Sequence, residues 1–225
     1  MNKLNHVAFI MDGNGRWGKK KNKGRNFGHL QGVKTVQNIV QGAIKLNIPI
    51  ITFYVFSTEN WKRPKKEINF LFSLISLYFK RELQNVIKNN IKIKILGRMS
   101  SLPALTRNNL KIAINKTKQN KKLIVNLALN YGSKAEIINT IGKLKKKGIK
   151  ISEKKISSNL YTENLPNPDI LVRTGGQKRL SNFMLWQLAY AELYFLDKLW
   201  PDFNITDLKK IIKDYKKVKR NFGNI

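Results

Sequence analysis

Cysteine is absent from this chain of 225 residues. That excludes a disulfide framework, a thiolate metal site and a cysteine nucleophile. Histidine occurs only twice, so a zinc centre would have to take both and add carboxylates, a poor fit to zinc's ligand preferences. No stretch approaches the ~20 consecutive apolar residues of a membrane-spanning helix. The apolar run that follows residues 1–6 covers only 7–11 and stops at Asp12, which does not read as a signal peptide. A cytoplasmic protein is expected. Linkers rich in Pro, Gly and Ser are missing, as are internal repeats. With 42% hydrophobic residues the chain is nonetheless globular. Its length suffices to bury roughly 70% of the unfolded surface in one core, so one domain over residues 1–225 is expected.

Acidic residues are scarce: 13 against 44 lysines and arginines, a formal charge of +31. Such an excess fits an anionic partner, whether nucleic acid, a diphosphate or an acidic lipid. Yet the excess is lysine rather than arginine, and Asn and Ile are abundant beside it. That joint bias reads first as compositional drift spread over a solvated surface. The scarcity has a useful converse: an acid inside a motif carries more information than usual.

Apolar patterning alternates strand and helix. Residues 5–10 read as a short strand, 11–28 as a Gly- and Lys-rich loop with room for a short helix, and 29–46 as an amphipathic helix. Residues 50–56 form a continuous β-branched and aromatic run, the pattern of a buried parallel strand. A long helix is expected over 68–88, a strand over 91–96 and a helix over 103–118 with Pro in its first turn. A strand over 123–130 leads to a helix over 133–147, stopped by Gly148. A short helix over 152–160, a strand over 169–172, a last strand near 193–195 and a helix over 205–218, capped by Asn204 or Thr206, complete the chain. This alternation predicts an α/β fold with a mostly parallel central sheet flanked by helices. Residues 68–79 are apolar on nearly every side, as in a helix buried all round. They suit a core helix, a subunit interface or the wall of an apolar tunnel.

Ligands of such sheets sit beyond the carboxyl ends of the strands, which singles out three loops. The first, after Ile10, holds Asp12, Gly13, Asn14, Gly15, Arg16, Arg25 and His29. Glycines let backbone N–H groups close on a phosphate, arginines add bidentate contacts, and an acid at the strand end suits Mg2+ bridged to a diphosphate. It is neither a Walker loop nor the dinucleotide-binding turn. A tight turn beside a solvated basic run is the plainer reading. The second loop, Ser57 to Pro64, offers hydroxyls, Glu59, Asn60, Trp61 and Arg63, the makings of a lid. The third, after Val172, gathers Arg173, Arg179 and Ser181 around Gly175-Gly176, a second phosphate cradle. Glu192 follows in an apolar segment, as a paired or metal-linked carboxylate would, or as half of an ordinary salt bridge. Two diphosphate-sized basic sites, one or two acids and an apolar helix suggest chemistry on two phosphorylated apolar substrates.

The blocks around these residues are more specific. The run from His6 to Trp17, the segment from Phe56 to Pro64, Asn130-Tyr131-Gly132, the stretch from Arg173 to Phe183, and residues 185–195 with Trp200-Pro201-Asp202-Phe203 resemble the cis-prenyltransferases. Within that family they are most similar to the bacterial undecaprenyl diphosphate synthases. The resemblance covers nearly the whole chain, in order. It implies repeated condensation of isopentenyl diphosphate onto farnesyl diphosphate, giving a long polyprenyl diphosphate, the lipid-carrier precursor of cell-wall synthesis. It implies an allylic diphosphate on Gly13, Asn14, Gly15, Arg16, Trp17, Arg25 and His29, and isopentenyl diphosphate on Arg173, Arg179 and Ser181. Ser57, Thr58, Glu59, Trp61 and Arg63 contact substrate from the lid loop. Asp12 and Asn60 are the catalytic candidates, with Asn60 placed for proton removal. The resemblance further implies Mg2+ on Asp12 and Glu192, the latter across a dimer. A homodimer is implied, with the C-terminal Arg220-Asn221-Phe222-Gly223 reaching the partner's site, and the apolar helix becomes a tunnel wall.

Departures are visible. Lys178 and Gln177 stand where His and Glu are common in the family, Ser133-Lys134 replace Gly-Arg, and Val55 replaces a smaller tunnel residue. Two other readings were weighed. A non-catalytic accessory subunit should lack the first-loop Asp and Arg, whereas Asp12 and Arg16 are present. A nucleic-acid-binding protein should interleave aromatics along a basic stripe, whereas all four Trp fall inside the family blocks. Nucleic acid is not expected. Peripheral contact with an anionic membrane is.

Overall fold

The computed structural model describes residues 2–220. Six strands form one all-parallel sheet: β1 (His6–Ile10), β2 (Ile50–Ser57), β3 (Ile91–Leu96), β4 (Leu123–Tyr131), β5 (Ile170–Arg173) and β6 (Glu192–Phe195). Their order is β3-β4-β2-β1-β5-β6. The central strands read as unbroken apolar runs because both faces are covered; every residue of β1 is buried.

Seven α-helices are described: α1 (Asn14–Lys20), α2 (Gly24–Lys45), α3 (Lys65–Lys88), α4 (Ala104–Thr117), α5 (Ser133–Lys146), α6 (Glu153–Ser157) and α7 (Ile205–Tyr215). The larger core joins one face of the sheet to α2, α3, α4 and α7 through residues such as Phe9, Phe53, Ile39, Phe72, Leu110 and Leu208. The opposite face, including Ala8, Ile10 and Leu171, packs against Phe183, Met184 and Leu188 from the segment before β6. Asn204 caps α7, its Oδ1 accepting from the N–H groups of Thr206 and Asp207.

Four expectations need correction. Residues 11–28 are mostly helical: α1 is the short helix for which that loop had room, but α2 starts at Gly24, five residues before the expected His29. Close packing of α1 on α2 explains it, since a Cβ on Gly28 would sit 1.8 Å from the Asn14 carbonyl oxygen. The short helix near 152–160 shrinks to α6, and the last helix ends at Tyr215 rather than 218. The apolar helix is not buried all round either. Asn69, Ser73 and Leu77 of α3 face outward, Leu77 being 42% exposed.

One irregularity positions the site. Tyr54 pairs with Ala128 and Phe56 with Leu129, so Val55 is an extra residue in β2. A bulge shifts the side-chain alternation. Val55 and Phe56 consequently both join the α2/α3 side of the sheet, while Tyr54 faces the other side.

Candidate active site

The three loops converge at the carboxyl ends of β1, β2 and β5, as the parallel sheet requires. A polar cavity of ≈ 320 Å³ there is lined by Asp12, Asn14, His29, Ser57, Asn60, Arg63, Arg173, Arg179 and Ser181, with Tyr54 and Val55 in its wall.

Its floor is an ionic chain. Arg173 is 4% exposed; its Nη2 donates to Asp12 Oδ2 at 3.0 Å and its Nη1 to Ser181 Oγ at 2.7 Å and to the Arg179 carbonyl. Its Nε has no hydrogen-bond partner. Asp12 Oδ1 lies 3.3 Å from Arg16 Nη2, which also donates to the Gly175 carbonyl at 2.8 Å. Backbone bonds fasten Asp12 itself: its carbonyl accepts from Thr174 Oγ1 at 2.8 Å and from the Trp200 N–H at 3.0 Å. Gly13, at φ 109°, starts α1 in a left-handed conformation that only glycine adopts without strain.

A second cluster centres on Glu67, which the sequence reading missed. Its carboxylate takes two hydrogen bonds from Arg25, at 3.0 and 3.1 Å, and one from Arg63 at 3.2 Å. His29 Nε2 lies 3.5 Å away, without the alignment of a hydrogen bond. Burial raises the Glu67 pKa, but its bonds and charge contacts, Arg25 first, outweigh this and hold it below its ordinary value. His29 is driven down, chiefly by burial, so it is neutral near pH 7. Two signals pointed to Glu67: acids are rare here, and it stands four residues after Arg63 on the first turn of α3. Arg25 lies against α1, its guanidinium carbon 2.8 Å from where a Gly15 Cβ would stand.

The second loop is a 3-10 turn, Thr58–Lys62. Asn60 Oδ1 accepts from the Ser57 N–H at 3.2 Å. Trp61 Nε1 donates to Asn130 Oδ1 at 2.8 Å, and its ring stacks on Phe72 of α3. Glu59 accepts from Asn182, and Thr58 faces a separate polar pocket with Trp61, Arg98 and Asn130. Trp17 is removed from both cavities. It stacks on Phe27 and donates to Asp202, so it braces α1 against α2.

Glu192 lies apart from Asp12 within one protomer. It opens β6 and pairs with Ile170, whereas Asp12 follows the far end of β1, where Ile10 pairs with Arg173. Three residues of strand separate those levels, about 10 Å. Within one protomer the two acids cannot share an ion. Glu192 Oε1 lies 3.9 Å from Arg220 Nε. The rest of the C-terminal motif, Asn221-Phe222-Gly223, lies outside the described residues.

Beside the polar cavity is an apolar one of ≈ 140 Å³, walled by α2 (Val33, Val36, Val40), α3 (Leu71, Leu74, Ile75, Tyr78, Phe79) and the sheet. Met11, Asn14, His29, Val55 and Leu71 line both. Val55 thus stands in their common wall, and the β2 bulge brings Phe56 onto the same side.

A polar cleft lined by Arg63, Arg173 and Arg179, opening beside an apolar cavity, suits an enzyme whose substrates are anionic at one end and apolar at the other. The sequence model of the prenyltransferase family, described by undecaprenyl diphosphate synthase, matches residues 10–223. The isoprenyl transferase of Treponema denticola is 46% identical over 98% of both chains, and that of Rickettsia typhi 45% identical over 99% of both. A crystal structure of a probable undecaprenyl diphosphate synthase from Campylobacter jejuni is similar with TM-score 0.85, 38% identity and full coverage of both chains. Lavandulyl diphosphate synthase from Lavandula x intermedia, crystallised with dimethylallyl diphosphate, is similar with TM-score 0.93 and 32% identity over 98% of both chains. This chain belongs to the cis-prenyltransferase family of undecaprenyl diphosphate synthases, and it is a transferase.

Proposed function

We propose that the chain condenses isopentenyl diphosphate repeatedly onto farnesyl diphosphate and releases a long-chain, undecaprenyl-length diphosphate. The observation that carries this is the shared wall between an arginine-lined polar cleft and an apolar cavity. The allylic diphosphate sits on the α1 side, with Asn14, Arg16, Arg25 and His29. Isopentenyl diphosphate sits on Arg173, Arg179 and Ser181. The allylic carbon–oxygen bond breaks with its electron pair leaving on diphosphate, and the basic cradle stabilises that charge without reorganising. The terminal alkene carbon of the second substrate, held nearby, attacks the freed carbon. A proton then passes from the condensed carbon skeleton to an oxygen of the departing diphosphate, and its bonding pair forms the new double bond. Asn60 has no basicity near neutral pH, so its part is to orient the reacting groups. The lengthening chain occupies the apolar cavity, with Val55 at its entrance.

Mg2+ is part of this reading. Among the described residues no group of three potential ligands gathers, but a carboxylate facing a diphosphate suits Mg2+, which keeps waters and binds substrate phosphates. Asp12 would hold it, and it would neutralise charge on the leaving diphosphate. Glu192 belongs with Mg2+ only across a homodimer, where a partner's C-terminal segment also completes the site. We place the enzyme in the cytoplasm, peripheral at the inner membrane face. No described helix is long and apolar enough to cross a membrane.

The test is product analysis with farnesyl diphosphate, radiolabelled isopentenyl diphosphate and Mg2+, beside Asp12→Ala. A Mg2+-dependent ladder ending near the carrier-lipid length, lost by on the order of 100-fold or more in the variant, is expected. A ladder that stops early would keep the chemistry and overturn the product length. No incorporation by folded dimer would overturn the reading.

A further inference from the structure

The segment that carries the second cradle is held in an unusual backbone conformation. Ser181, Asn182 and Met184 have φ of 50°, 63° and 45°, the left-handed region that Asn tolerates better than most residues. Asn182 makes three bonds from that position. Its carbonyl accepts from the Ser133 N–H at 2.8 Å, and its Oδ1 accepts from the Lys134 N–H at 2.9 Å. Both come from the start of α5. Its Nδ2 donates to Glu59 Oε1 at 2.8 Å, on the 3-10 turn that also carries Asn60 and Trp61.

The junction is tight. A Cβ on Gly132 would stand 2.5 Å from Thr58 Oγ1 and 2.8 Å from Asn182 Nδ2, so the turn, the start of α5 and the cradle segment meet with no spare room. Burial raises the Glu59 pKa, but the Asn182 amide and neighbouring bonds outweigh this and hold it below its ordinary value. One residue earlier, Ser181 Oγ accepts from Arg173, and Arg173 grips Asp12. Two adjacent residues therefore face opposite ways, one into the second diphosphate cradle and one onto the lid turn.

We propose that Asn182 is a positioning residue that couples the lid turn to the second diphosphate cradle through its hydrogen bond to Glu59. Ordering either element then favours the other, because coupling between two sites is reciprocal. A lid that orders only over a filled cradle would keep the allylic carbon from reacting with water before the second substrate is bound. The inference rests on the two-substrate reading above.

Asn182→Asp isolates the bond. It keeps the acceptors for α5 but loses the donor and sets one carboxylate against another. Adding Glu59→Gln restores a bond of reversed direction, Gln Nε2 to the Asp carboxylate. The readouts are KM for isopentenyl diphosphate, kcat and the melting temperature. Asn182→Asp is expected to raise that KM roughly tenfold, the scale of one charge-assisted hydrogen bond, and the pair to recover most of it at an unchanged melting temperature. A pair no better than Asn182→Asp alone, or Asn182→Asp with an unaltered KM, overturns the coupling. Should Asn182→Asp melt early, Glu59→Ala breaks the same bond from the lid side with the cradle intact. A raised KM for isopentenyl diphosphate is again expected, and an unaltered one overturns the inference. Failure of the unmodified chain to incorporate label refutes the prenyl-transfer reading itself, so the two failures are distinguishable.

Discussion

Glu67 shows how much one carboxylate does in a chain this basic. Arg25, Arg63 and His29 crowd against it, and its two bonds to Arg25 fix that guanidinium against α1. Without Glu67, Arg25 would regain rotamer freedom, and the allylic cradle would have to order it on binding. Glu67→Ala is expected to raise KM for the allylic substrate by roughly three- to tenfold, about 1 kcal/mol, and to spare KM for isopentenyl diphosphate. Steady-state kinetics with each substrate varied in turn checks this, and an equal rise in both would show general damage instead. Asp12, Arg173, Arg179 and Ser181 were legible in the sequence because their residue types announce their chemistry in consecutive blocks. Glu67 and Asn182 were not. Each acts through partners distant in sequence, Arg25 for one and Glu59 for the other, and a motif read along the chain does not contain that pairing.

At the scale of elements, the strands were legible because burial on both faces leaves an apolar run that turn residues interrupt. The start of α2 was not. Glycine at 24 and 28 lowers intrinsic helix propensity, so the segment before His29 reads as loop, and packing against α1 overrides it. Gly28 and Gly32 let α2 come up against Asn14 of α1. An exposed helix normally gains ~0.5–1 kcal/mol when glycine becomes alanine. At position 28 the new methyl would meet a backbone carbonyl at 1.8 Å, and backbone cannot swing aside as a side chain can. Overpacking of this kind costs about 1–3 kcal/mol, so the sign reverses. Gly28→Ala is expected to lower urea stability and weaken allylic binding together, because Asn14 belongs to both the helix contact and the cleft. Stability equal to or above that of the unmodified protein would contradict the packing argument. The bulge at Val55 left no trace in the sequence at all: an extra residue in a continuous apolar run does not change its pattern.

Across the whole molecule, polar groups inside the sheet tie its strands together and set a pH limit. His6 of β1 is completely buried. Its Nδ1 lies 2.8 Å from the Pro166 carbonyl and its Nε2 2.7 Å from Thr52 Oγ1 of β2, which accepts from Asn126 Nδ2 of β4 at 2.9 Å. A neutral ring with the proton on Nδ1 satisfies both contacts: it donates to Pro166 and accepts from Thr52. Burial disfavours the charged ring and lowers the His6 pKa to about 4, although the Pro166 bond and the nearby Asp169 charge oppose it. In the unfolded chain the ring titrates near its ordinary ~6.5. Between these values the unfolded state binds a proton that the folded state refuses, so stability falls as pH drops. The loss begins near pH 6.5 and is complete near pH 4, on the order of 3 kcal/mol if no other group responds. Above pH 7 this group contributes no slope. Urea melts at pH 7.5, 6 and 5 are expected to show that decline, with His6→Gln flattening it even if the variant is weaker at every pH. A slope that survives the substitution would assign the acid sensitivity to another group and leave His6 as packing alone.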